Sequence, residues 1–163
     1  MKIAKNVYAS DVVDYNITTL EEQADFVRSD IDKEVTLQIR DESNKEKQSL
    51  LKASLSSIVL ADFNGIRKYE NFISCDYVVL DLDDYEVIRH NELKERLKEL
   101  PGCVWVQESP RRKLKAIIKL ANKVKSPQAY SETAKYVIDK YNKVLDVKFD
   151  PRASNPVGYL YRS

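Results

Sequence analysis

Tyr77-Val78-Val79-Leu80-Asp81-Leu82-Asp83-Asp84-Tyr85 is an apolar run of strand length and partly β-branched character that ends in acid. Side chains alternate between the two faces of a strand, so Asp81 and Asp83 share one face while Leu82 points into a core on the other. Two carboxylates side by side repel, and the arrangement is costly unless a cation sits between them. Hard oxygen ligands at this spacing suit Mg²⁺ or Mn²⁺, and a pair of such ions can clamp the attacking and leaving oxygens of a phosphoryl displacement. A strand that runs into a solvated acidic turn reads the same way. A bare D-x-D does not separate the two.

Working outward, residues 86–100 place Val87, Ile88, Leu93, Leu97 and Leu100 near helix spacing, and Pro101-Gly102 stops the run. Residues 103–107 read as a strand, 109–112 as a basic turn and 114–120 as a second strand. Ser126, with Pro127 in the first turn, caps a long helix reaching about 141. Short last strands are expected at 146–149 and 157–161. Strand, helix, strand, strand, helix, strand resembles a split β-α-β unit of ferredoxin or RNA-recognition (RRM) type. The expected class is α+β, an antiparallel-rich sheet with helices packed on it. On the N-terminal side, 2–8 reads as an edge strand, and Thr19 with Glu22 forms a capping box opening a helix with Leu20, Ala24, Val27 and Ile31 at helical period. Ser43 with Glu46 opens another over 45–54, with Leu50, Leu51 and Leu55 as its buried stripe. A short strand at 57–60 and an Asn64-Gly65 turn follow. With no repeat or linker, the simplest organisation is one domain, 1–163, made of an N-terminal α/β element (1–50) and a motif-bearing core (51–163).

The chain has 163 residues, 43% hydrophobic and 33% charged, enough to bury a core and typical of soluble globular proteins. No apolar run approaches the roughly 20 residues of a membrane span, and the polar start after Met1 lacks a signal peptide's apolar stretch, so an intracellular, cytoplasmic location away from membranes is expected. Cys75 and Cys103 are too few for a disulfide framework and lack zinc spacing; both read as buried thiols. The single histidine, His90, is expected on a helix surface in solvent. A net charge of +1 requires any nucleic-acid contact to come from a local patch. Only 3 glycines leave no room for a glycine-cradled phosphate loop.

That local patch is Glu108-Ser109-Pro110-Arg111-Arg112-Lys113-Leu114-Lys115, which places four cations between two expected strands. Arginine offers phosphate a bidentate fork and lysine a mobile point charge; a solvated charged hairpin is the plainer alternative. In Leu145-Asp146-Val147-Lys148-Phe149-Asp150-Pro151-Arg152, Asp146 follows a helix and is the favoured third carboxylate, with Asp150 as the lesser candidate or a simple turn residue. Tyr69, Tyr77 and Tyr85 flank the acidic strand and suit either half-buried packing or stacking on bases, and Trp105 suits either face of its strand.

The order of these motifs resembles the archaeo-eukaryotic primase (primase-polymerase) superfamily, over residues 51–161. The likeness is greatest to the VirE N-terminal-like primase domain at the front of mobile-element replication proteins. It rests on Arg67 with Phe72, Val79-Leu80-Asp81-Leu82-Asp83, and Ser109-Pro110 with Leu114-Lys115. The resemblance implies a DNA primase or polymerase core of a phage or mobile element, transferring nucleotides to a 3′-hydroxyl by a two-metal carboxylate mechanism. Asp81, Asp83 and Asp146 would be catalytic and hold Mg²⁺ or Mn²⁺; Ser109, Arg111, Arg112, Lys113 and Lys115 would bind the nucleotide. The implied partners are a DNA template and primer, nucleoside triphosphates and a helicase domain or protein. Three departures stand out: Lys115 replaces the second motif's histidine, Arg111 and Arg112 replace glycines near Ser109, and Val157-Gly158-Tyr159 stands where an arginine is common. They favour a rival from another class, a non-catalytic nucleic-acid-binding replication module on the same fold. A metal-dependent nuclease would need a water-activating base near Asp83, and no histidine is evident for it. On these residues alone, removing Asp81 is expected to relieve a repelling pair and leave the fold intact or stabilised.

Overall fold

The strand of the acidic motif organises the molecule. In a computed structural model, which describes residues 2–4, 16–17, 20–29, 31–55, 57–158 and 160–161, it runs well upstream of the apolar run. The elements are β1 (Lys2–Ala4), β2 (Asn16–Ile17), α1 (Leu20–Arg28), α2 (Lys33–Asp41), α3 (Lys45–Ala53), β3 (Ser57–Val59), β4 (Ala61–Phe63), β5 (Phe72–Leu82), α4 (His90–Lys98), β6 (Cys103–Glu108), β7 (Leu114–Val124), α5 (Pro127–Leu145) and β8 (Leu160–Tyr161). Short 3₁₀ turns stand at Tyr69–Asn71, Val87–Arg89 and Pro151–Ser154.

The strands form two wholly antiparallel sheets, ordered β2-β1-β3-β8 and β4-β5-β7-β6. Only Leu60 separates β3 from β4, so the chain crosses between sheets at one residue. β7 lies between β5 and β6, and α4 makes the crossover that skips it. The fold is therefore α+β. The outer place beside β5 belongs to β4, reached through a turn in which Gly65 takes φ +75, and not to a strand after α5.

Alternation then sorts the side chains. Val78, Leu80 and Leu82 of β5, with Leu114, Ala116 and Ile118 of β7, are buried in one core with Leu93 and Leu97 of α4 and Ala134, Ile138 and Leu145 of α5. Each leucine so buried contributes about 1.5–3 kcal/mol. The opposite face carries Asp81, Lys115 and Gln107 across one row and Val79, Ile117 and Trp105 across the next. Trp105 therefore belongs to that second face, where its Nε1 donates to Gln107 Oε1 at 3.0 Å.

Several expectations are corrected. Val87 and Ile88 are 85% and 91% exposed on a 3₁₀ turn, because the helix begins only at His90. Leu50 is 73% exposed, and α3 is capped by Asn44, whose side chain accepts from the Glu46 and Lys47 amides, not by Ser43. Residues 146–149 form no strand. The helix α2 and the strand β4 were not foreseen. Thr19, Tyr159 and most of the 2–8 segment lie outside the described residues. Cys75 is buried and Cys103 half-buried, both free thiols. Among the described residues, no helix is long and apolar enough to cross a membrane.

Candidate active site

Two chain segments meet at the end of β5. α5 runs to Leu145, where Asp146 takes the left-handed conformation (φ 51) and turns the chain back. Arg96 of α4 donates to the carbonyls of Val144 at 3.0 Å and Leu145 at 3.4 Å, satisfying acceptors the helix end leaves open. Asn142 Oδ1 then accepts from the Phe149 amide at 2.8 Å, and the Phe149 ring is 1% exposed. With this anchor in place, the Asp150 amide donates to the Asp81 carbonyl at 2.7 Å. The fold thereby lays a third carboxylate beside the two from the acidic strand.

Oxygens of Asp81, Asp83 and Asp150 lie within 4.8 Å of one another. Lys115 Nζ donates to Asp81 Oδ2 in an ion pair whose side chains are 14% and 19% exposed. Asp81 Oδ1 is buried with no hydrogen-bond partner. Burial pushes the Asp81 carboxyl above the usual range; Lys115 opposes that shift, and Asp83 and Asp150 add to it. Asp150 is held below the usual range by its hydrogen bonds from Arg152, whose Nη2 stands 2.6 Å from Oδ2.

These carboxylates line a cavity of about 360 Å³ whose other polar walls are Lys52, Ser109, Arg111, Lys113, Lys115 and Arg152. Burial, then the charges of Arg111 and Lys115, lower the Lys52 ammonium to about 8. Arg111 Nε, like Asp81 Oδ1, is buried without a partner; such orphaned atoms are unusual and mark a place where a ligand would complete the bonding. A second cavity of about 380 Å³ adjoins the first through Asp81, Asp150 and Arg152, with Leu60, Val79 and Val157 among its apolar walls and Arg67 beside them.

The basic hairpin is stiff. The Ser109 amide donates to the Lys113 carbonyl at 2.7 Å, the Arg112 amide to Ser109 O at 2.8 Å, and the Lys113 amide to Ser109 Oγ at 3.1 Å. Ser109, 4% exposed, thus holds the hairpin's shape.

Of the sequence candidates, the structure brings together Asp81, Asp83, Ser109, Arg111, Lys113 and Lys115. Asp146 is exposed at the helix end and outside the carboxylate group; Asp150 stands there instead. Arg112 is excluded as well, because its φ of 59 turns it to a different cavity, shared with Tyr85 and His90. Nothing in the sequence of α3 marks Lys52, and no motif assigns Arg152 a role. His90 is not merely solvated: its Nδ1 is 2.7 Å from Tyr85 Oη and its Nε2 3.3 Å from Glu108.

Three clustered carboxylates and a buried unsatisfied oxygen fit a hard divalent cation, and the five surrounding ammonium and guanidinium groups fit a polyphosphate. No family model matches the sequence, and no curated protein matches it. The polymerase domain of ligase D from Mycobacterium tuberculosis, solved in complex with DNA, is similar in structure with a TM-score of 0.46 and 14% identity, over 70% of this chain and 48% of that one. The chain thus spans about half the length of that domain.

Proposed function

We propose that the chain is a primase-polymerase core, which transfers nucleotides to a 3′-hydroxyl on a DNA template. The observation that carries this reading is the meeting, in one cavity, of three carboxylate oxygens within 4.8 Å and five cationic side chains. Carboxylates alone would hold a cation and cations alone an anion. Their union suits a metal-bound polyphosphate.

Asp81, Asp83 and Asp150 would hold Mg²⁺ or Mn²⁺. Such ions supply charge neutralisation at the phosphoryl group and lower the pKa of a coordinated hydroxyl. Lys52, Arg111, Lys113 and Arg152, which line the same cavity, orient the triphosphate. The adjoining cavity, with Leu60, Val79 and Val157, receives the nucleoside and excludes water. The mobile-element setting and the helicase partner follow from the motif resemblance alone, and the RRM-type character of the sheet from the order of strands and helices.

The Lys115–Asp81 ion pair favours a second reading, the non-catalytic nucleic-acid-binding module, because a tethered ammonium already neutralises the Asp81 carboxylate. Extension of a labelled primer on a DNA template with Mn²⁺ and nucleoside triphosphates decides between them. Extension by the native chain that is lost in Asp83→Asn supports the polymerase. Equal extension by both refutes the carboxylate assignment, and none from either leaves the binding module.

A further inference from the structure

The hairpin at 109–113 has two sides. Arg111 and Lys113 line the carboxylate cavity and also a larger one of about 690 Å³. That cavity is closed by Arg40 of α2, by Arg112 and by Tyr85, Val87 and His90. Four cations therefore face it. Its one carboxylate, Glu108, is neutralised by Lys94 at 2.8 Å and lies 3.3 Å from His90 Nε2. The walls are fixed: Arg40 Nε donates to the Pro110 carbonyl at 3.3 Å, and Tyr85 Oη donates to the Arg112 carbonyl at 3.1 Å. Val87 lines it, and Val87 and its chain neighbour Ile88 are the two most exposed large apolar residues described.

Cations in a groove with exposed apolar surface beside them match single-stranded nucleic acid, whose phosphates need charge and whose bases need flat, dry contact. A folded duplex hides its bases and has no use for Val87 and Ile88; an acidic peptide has little more. Arg111 and Lys113 line both cavities, so a strand lying here is held by the same hairpin that borders the carboxylate cavity. We propose that this second cavity is the track of a single strand on its way into the active site. Arg40 and Arg112 hold its phosphates and Val87 and Ile88 support its bases; the identity of the strand as template rests on the nucleotidyl-transfer reading.

The test is fluorescence anisotropy of a labelled oligothymidylate in EDTA, so that no metal chemistry enters. The variant is Arg112→Gly with Val87→Asp. Glycine suits the left-handed backbone at 112 and Val87 is 85% exposed, so neither change threatens folding. The expected result is an affinity lower by about tenfold and a shallower salt dependence, by about one counterion for the phosphate contact removed. Unchanged affinity and slope overturn the proposal. So does displacement of the oligonucleotide by oligoglutamate of matching charge at equal concentration, which makes the cavity a site for acidic protein. The polymerase reading fails separately, through absent primer extension with this binding intact.

Discussion

Lys115 Nζ donates to Asp81 Oδ2 across the β5–β7 register, while Oδ1 of the same carboxylate is buried and unpartnered. The sequence treats Asp81 as half of a repelling pair, and the structure makes it half of an attracting one. Lys115 offsets its charge in the folded chain.

One consequence reverses the expectation that removing Asp81 is harmless. Asp81→Asn strands an ammonium that is 14% exposed. The expected loss is about 2 kcal/mol, short of the figure for a fully dry pair. Adding Lys115→Met should restore most of it, because both partners are then gone and the methylenes remain. Urea denaturation of the two single variants and the double closes the cycle; additive losses would show that the pair contributes nothing.

Metal affinity should move the other way. Because Lys115 occupies Oδ2, a divalent ion meets competition for Asp81. Lys115→Met should raise Mn²⁺ affinity by about tenfold, the scale of one charge-assisted hydrogen bond. Electron paramagnetic resonance of free Mn²⁺ measures it without turnover. Weaker Mn²⁺ binding in the variant would mean that Lys115 shapes the site rather than contesting it.

The backbone offers an independent check on the fold. Gly102 follows α4 at φ +79, and a Cβ there would meet the Lys119 carbonyl at 2.9 Å. Gly65 has φ +75 with nothing within 4 Å. Gly102→Ala is expected to cost about 2–3 kcal/mol and Gly65→Ala about 1, the difference being the clash. Equal melting temperatures for the two would mean that β7 yields at Lys119.

How much of this was legible in the sequence follows from the range of the forces involved. Asp81, Leu82 and Asp83 sort correctly because strand alternation is local, and Ser126 with Pro127 marks a helix start by bonds within one turn. Asp150 was ranked behind Asp146 because α5 was expected to stop near 141. It continues through Leu145, which is buried in the core, so Asp146 is consumed as the cap and the third carboxylate falls four residues later. Lys52 could not be read at all. Its helix has no buried residues, and only the tertiary arrangement brings it beside Arg111 and Lys115. Val87 and Ile88 kept helical spacing yet face solvent, since a period says which residues share a face and not whether anything covers it.

Lys52 also gives the cavity a pH dependence. Its folded-state value of about 8 lies below the ordinary 10.5, so between those limits the unfolded chain binds a proton that the folded chain does not. Stability therefore rises with pH through that window as the charged form ceases to be penalised. Anion binding follows the opposite sign. Below about 8 the ammonium is present to meet a polyphosphate. Above it each bound triphosphate must bring a proton with it, and affinity should fall towards tenfold per pH unit. Lys52→Arg keeps its charge throughout and should flatten the profile. Binding of a fluorescent nucleoside triphosphate in EDTA between pH 7.5 and 9.5 reads both chains. A native profile as flat as the arginine variant's would remove Lys52 from the triphosphate's wall and leave Arg111, Lys113 and Arg152 to hold it.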